Sequence, residues 1–294
     1  MRTRSTAHQG IRRAKFHRAW IWRAALCGLC GASVVHARPV RVVSINPCLD
    51  AILMEVADPA QIAGISHYSH DPAATSIPLA QAMRFRATSG TAEEVMGLSP
   101  DLVMAGGHVS PATVNALERL HIPLLRLGVP ETIAESFAQI REVAAVMGHP
   151  ERGEASVVRI ESAVRAARPT DRRRIPALIW QNGGLVPGQG TLASQLLTLA
   201  GFENLSATYG VTKWDVLPLE YLMAQPPALL LSAQSTGPQR DRMLSHPAIA
   251  RLGRRIAIRP YSFQLLQCAG PTIAAAMARL AELRRSVPRA LAAK

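Results

Sequence analysis

The chain has 294 residues, 48% hydrophobic and 18% charged, values of a globular protein that exclude a disordered one. Aromatic residues make up 4%, too few for a stacking surface that tracks single-stranded nucleic acid. The net charge of +13 is concentrated at one end. Residues 1–37 hold Arg2, Arg4, Arg12, Arg13, Lys15, Arg18 and Arg23 and no acid, so 26 basic residues face 20 acidic ones beyond them, and no nucleic-acid partner is expected.

Residues 1–37 read as an export signal with a basic leading region. Residues 24–35 carry no charge but are too few to span a bilayer, which takes about 20 residues. Val35-His36-Ala37 then fits cleavage near Ala37. The pair Arg12-Arg13 leaves both the general and the twin-arginine export routes open. Leu26 and Leu29 precede Cys27 and Cys30 where a lipid-attachment site needs a small residue. The mature protein is therefore expected to be soluble and exported, with Cys48 and Cys268 as its two cysteines. In an oxidising compartment they can pair, act as ligands or stay free, and their wide separation along the chain leaves the choice open.

Apolar residues 40–45 predict a strand, stopped by Asn46-Pro47, and residues 48–56 a helix. Residues 62–66 form a second strand, and residues 71–89, rich in Ala, Ser, Thr and Pro, a loop. Strands over 101–105 and 123–127 flank a helix over 111–120, and a helix over 132–147 closes at Gly148. Residues 151–167, without Gly or Pro after Gly153, predict one long helix. Beyond it come a strand over 177–180, a Gly-rich turn over 182–190, a helix over 191–200 capped by Gly201, a strand over 255–258 and a last helix over 272–286. Strands alternating with helices predict parallel α/β architecture.

One unit occurs twice. EEVMGLSPDLVM from Glu93 and EYLMAQPPALLL from Glu220 each run from a Glu through a helical pattern to a Pro seven residues on, then into an apolar strand. The repeat implies two similar halves with a cleft between them.

Ligands of open parallel sheets bind beyond the carboxyl ends of the strands. The residues there are Ser44, Asn46, Cys48, His67, Tyr68, His70, Gly106 and His108 in the first half, and Gln181, Asn182, Trp214, Tyr261 and Cys268 in the second. This set offers imidazole, phenol, thiol and indole. The cluster His67-Tyr68-Ser69-His70 is its richest part, with donors suited to iron and copper. No HExxH, GxSxG, Walker or GxGxxG motif is present. Glu93 and Glu220 suit helix N-termini through the dipole. Their matched positions also suit two acidic knobs that engage basic groups on a partner of two-fold symmetry.

RVVSINPCLDAIL, IAGISHYSHDP, EEVMGLSPDLVMAGG, WDVLPLEYLMAQPPALLL and CAGPTIAAAMARLAEL, in that order, resemble the periplasmic substrate-binding proteins of ABC importers for cobalamin, ferric siderophores and haem. The resemblance covers about residues 39–287. It implies two Rossmann-like α/β lobes with central parallel sheets joined by one long helix: a leader over 1–37, an N-terminal lobe over 38–148, a linking helix over 149–170 and a C-terminal lobe over 171–294. It also implies a monomer, periplasmic and not an enzyme, with no resident cofactor. Such a protein captures a small-molecule metal chelate between its lobes and delivers it to a transmembrane permease dimer and its ATPase, touching the inner membrane only through that complex. Asn46, Cys48, His67, Tyr68, His70, His108, Asn182, Trp214, Tyr261 and Cys268 are the expected ligand contacts, and Glu93 and Glu220 the permease-docking residues. Tyr68 and Trp214 fall where cobalamin-binding members place aromatic contacts, whereas Ala87 stands where such members can carry Trp. Cys48 and Cys268 are not part of the general family pattern, and suggest a ligand of their own or a cross-cleft disulfide. The competing expectation is a secreted metal-binding or redox enzyme using Cys48, Cys268 and the histidines.

Overall fold

The computed structural model describes residues 41–233, 244–252 and 255–288; the export segment expected over 1–37 lies outside them. Each half is built on its own parallel sheet. In the first, strands β1 (Val42–Ser44), β2 (Ile62–Ser66), β3 (Ala87–Thr88), β4 (Leu102–Gly106) and β5 (Leu124–Leu127) lie in the order β3-β2-β1-β4-β5. The helices in this half are α1 (Pro47–Val56), α2 (Leu79–Ala82), α3 (Ala92–Gly97), α4 (Pro111–Arg119) and α5 (Ile133–Met147). The chain then runs along α6 (Pro150–Ala167) into the second half.

There β6 (Ile175–Gln181), β7 (Leu185–Pro187), β8 (Phe202–Asn204), β9 (Trp214–Val216), β10 (Leu229–Ala233) and β11 (Ala257–Pro260) alternate with α7 (Leu192–Leu199), α8 (Leu205–Thr208), α9 (Leu219–Ala224), α10 (Pro247–Leu252), α11 (Gln264–Gln267) and α12 (Thr272–Ser286). The second sheet has the order β11-β10-β6-β8, while β7 and β9 pair separately and antiparallel. Read from β8, the order repeats that of the first sheet from β2: β8-β6-β10-β11 matches β2-β1-β4-β5. The repeated sequence unit is thus a repeated fold unit. Glu93 and Glu220 each stand second in a six-residue helix, and each helix precedes a five-residue strand.

Packing follows strand alternation. Val42, Leu102 and Met104 face inward, and Val43 and Val103 face an outer cluster with Val95 and Leu117. Ile175, Ala177 and Ile179 face inward, while Leu178 and Trp180 face a second outer cluster with Leu222 and Leu230. The inner faces of both sheets feed one continuous core that runs through α1, α5, α6 and α12. Each half has an outer cluster of its own, and the inner core is shared.

The long helix is bolted to the first half at its start. Asp58 accepts from Arg152 at 2.8 Å and meets buried His149 at 3.1 Å, and Arg159 pairs with Glu55. The Arg152 guanidinium beside Asp58 holds that carboxyl below the usual carboxylate range. Gly153 lets α5 and α6 cross closely, since a Cβ there would lie 2.6 Å from that of Ala144. Residues 71–89, read as loop, contain α2 and β3, and both are too short to show a period.

Candidate ligand cleft

The carboxyl ends of β1, β4 and β5 face the second half across a cleft of roughly 1130 Å³, part of it open to solvent. In the first sheet the connections run outward from β1 in one direction and from β4 in the other. The cleft therefore opens where the strand order reverses, the place open α/β sheets reserve for ligands.

The turn after β1 is fixed by Asn46. Its Oδ1 accepts from the backbone N–H of Cys48 at 2.9 Å and of Leu49 at 3.2 Å, capping α1. Its amide nitrogen lies against Gly106, where a Cβ would come within 2.2 Å of it. The Gly at the end of β4 thus makes room for the cap of α1, and both residues line the cleft. His108 follows on the same edge with its side chain exposed.

From the second half come Thr191 and Leu192 at the start of α7, Trp214 on β9, and buried Tyr261 beyond β11. Burial pushes the Tyr261 phenol up from its ordinary value. Trp214 is 39% exposed and offers a flat face at the rim. Lys213 pairs across the cleft with Glu131, and Gln195 on α7 accepts from the N–H of Ile133 at 2.8 Å. Leu49, Ile52, Ile179 and Leu196 make the walls apolar.

Cys48 and Cys268 form a disulfide, with their Cα atoms 5.1 Å apart. It joins the first turn of α1 to the chain between α11 and α12. Both thiols are consumed, and among the described residues no group of three His, Cys, Asp or Glu side chains is placed to share a metal ion. Neither cysteine is free to act as a metal ligand while the bond is intact.

Asn46, Cys48, His108, Trp214, Tyr261 and Cys268 all line this cleft. His67, Tyr68, His70 and Asn182 are not among its lining residues. The first three form a 3-10 turn after β2. There His67 Nδ1 lies 3.2 Å from the Thr88 carbonyl and His70 Nε2 lies 3.0 Å from that of Ala82. Tyr68 stacks on His67, its ring 4.1 Å away, and is 53% exposed. The turn is held from beneath by buried Asp50, which accepts from the Ser66 N–H at 3.0 Å and the Ser69 hydroxyl at 2.6 Å. Burial raises the Asp50 carboxyl to about 7. Asn182 is exposed in the turn after β6.

The sequence reading passes over the Glu131–Lys213 pair. Glu131 lies just beyond β5, so applying the strand-end rule to that strand would have found it. Lys213 carries no comparable signal. Glu93 and Glu220 are both exposed. Neighbouring Glu94 is instead spent locally, accepting from the Ser89 N–H, and that bond pulls its carboxyl below the usual range.

A cleft with apolar walls and a few polar groups on its rim has the form of a small-molecule binding site. Residues 42–253 match the periplasmic binding protein family, and the chain belongs to it; it is a binding protein of ABC import and not an enzyme. A vitamin B12-binding protein of Pectobacterium atrosepticum is 24% identical over 220 residues, covering 71% of this chain and 77% of that one. Among solved structures, the periplasmic heme-binding protein RhuT of Roseiflexus sp. RS-1 in apo form matches with a TM-score of 0.64 at 21% identity, covering 85% of this chain and 98% of that one. The periplasmic vitamin B12 binding protein BtuF of Vibrio cholerae matches with a TM-score of 0.61 at 15% identity over 84% and 98% of the two chains. These likenesses establish the two-lobed α/β fold.

Proposed function

We propose that the protein is exported by the segment 1–37, captures a metal chelate of the cobalamin, haem or ferric-siderophore kind in the cleft, and delivers it to an ABC permease. The observation that carries the reading is the cleft itself, at the strand-order reversal, with Trp214 and Tyr261 across from Asn46 and His108. An aromatic face and apolar walls suit a broad, rigid ligand, and neutral donors on the rim suit its polar substituents. Relatives named for vitamin B12 and cobalamin support the chelate class. In this reading the halves are lobes over 38–148 and 171–294.

Docking falls to Glu93 and Glu220, which occupy equivalent places on the two halves and present free carboxylates to solvent. Native mass spectrometry of the protein purified from its own host tests capture: a metal-containing small molecule should travel with it at one per chain. A protein that carries no such molecule and takes up none of cyanocobalamin, hemin or a ferric siderophore contradicts the reading. Docking is tested separately. The double variant Glu93→Ala, Glu220→Ala should keep ligand affinity while uptake by whole cells falls to background, and normal uptake would remove the docking role.

A further inference from the structure

One stretch of chain belongs to the second half by sequence and to the first by contact. After β11, residues 262–271 leave the second sheet and lie on the first half. Gln264 Nε2 donates to the Pro72 carbonyl at 2.5 Å, and the Gly270 N–H donates to the buried Ser136 hydroxyl on α5 at 2.8 Å. Gly270 sits against Ile52 of α1, where its missing Cβ would come within 3.2 Å of that side chain. Between these two attachments Cys268 is bonded to Cys48. Leu265, Leu266, Gln267 and Gly270 line the cleft. The strap is therefore both a wall of the cleft and a tie between the halves.

We infer that the Cys48–Cys268 disulfide is a positioning device for the cleft: it holds the strap in the shape that receives ligand, so that ligand binding depends on the oxidised pair. The covalent bond is central in the strap. The two hydrogen bonds flank it: the one from Gln264 to Pro72 is exposed to water, and the one from Gly270 to Ser136 is buried beyond the end of α11. The four residues of α11 are too few to hold a helix by themselves, and Leu265 and Leu266 are only partly buried against the core. The inference rests on the proposal that this cleft is the ligand site. Reduction is balanced: a dithiol reductant becomes a cyclic disulfide as Cys48 and Cys268 become two thiols.

The test compares the oxidised protein with the same protein reduced by dithiothreitol and alkylated. Two readouts are taken, amide exchange by mass spectrometry and affinity for cyanocobalamin and for hemin. On reduction, exchange over residues 264–270 should speed by about 100-fold while the sheets stay protected, and the Kd of the bound probe should rise at least about tenfold. The double variant Cys48→Ser, Cys268→Ser should behave as the reduced protein does and checks for damage by alkylation. Unchanged exchange in the strap overturns the inference. So does faster exchange with an unchanged Kd, which would make the disulfide a stabiliser of the fold alone. If neither probe binds the oxidised protein, the chelate reading fails for those probes. The exchange result then tests the positioning of the strap by itself: acceleration confined to the strap upholds that part of the inference, and no acceleration removes the whole.

Discussion

Two strand ends of the same sheet make opposite use of their residues. The end of β2 holds the chemically richest run in the chain, two imidazoles and a phenol within four residues, yet its histidines lie against nearby backbone carbonyls and its turn does not line the cleft. The end of β1 holds only Asn46, Pro47 and Cys48, but it lies beside β4 where the strand order reverses, and the cleft opens there. A short polar residue that caps a helix and a glycine that makes room for it line the cleft, and the histidine cluster on the neighbouring strand end does not.

The difference can be broken at Asp50, the buried acid beneath the β2 turn. Its carboxyl stands near 7 in the folded protein against 3.8 in the unfolded chain, because burial disfavours the charge. Folding therefore favours the protonated acid. The resulting stability is complete below pH 3.8 and is lost as pH rises through 7. Between pH 5 and pH 8 the loss should be about 3 kcal/mol, read by urea unfolding, and Asp50→Asn should flatten that part of the profile. Equal slopes in the two proteins would show that Asp50 is ionised and accommodated.

The β1 end comes next in size. Gly106→Ala drives a methyl into the Asn46 side chain and should cost about 2–3 kcal/mol through overpacking and the displaced cap. Asn46→Ala loses the cap alone and should cost about 1–2 kcal/mol. Because the two changes strike one contact, the double variant should cost less than their sum, and an additive result would separate the glycine from the cap.

The smallest effects belong to the β2 cluster. His67→Ala and His70→Ala each remove one part-buried hydrogen bond and should cost about 1 kcal/mol or less, with ligand affinity unchanged. A tenfold loss of affinity from either would return that cluster to the binding surface.

Much of the fold was legible because its helices and strands are long enough to show their period. The last helix falls on residues 272–286 as read, and the long helix read over 151–167 spans Pro150–Ala167. The antiparallel pair β7 and β9 was not legible. Three-residue strands set among Gly183, Gly184, Gly188 and Gly190 carry no alternation, and the Gly188 turn closes only through contact with Val211 and Lys213. In the site, Asn46, Cys48 and His108 were found by the strand-end rule, but that rule does not rank strand ends, and the β2 residues entered with equal standing. Ranking needs the strand order, which depends on pairings between residues far apart in the chain. The disulfide was open for the same reason: only the shared inner core brings α1 and the segment before α12 together.

In the proposed reading, ligand occupies the cleft at the ends of β1, β4 and β5. Gly107 and Gly128 line that cleft, and a Cβ would meet nothing nearer than 4.0 Å at the first and nothing within 4 Å at the second. Gly107→Trp and Gly128→Trp therefore fill the site while leaving stability within about 1 kcal/mol of the parent. The direct measurement is native mass spectrometry of both variants and the parent, purified side by side from the protein's own host. A bound small molecule is expected on the parent and bare protein for both variants. The same molecule on the variants at the parent's occupancy would place the ligand elsewhere and contradict the account.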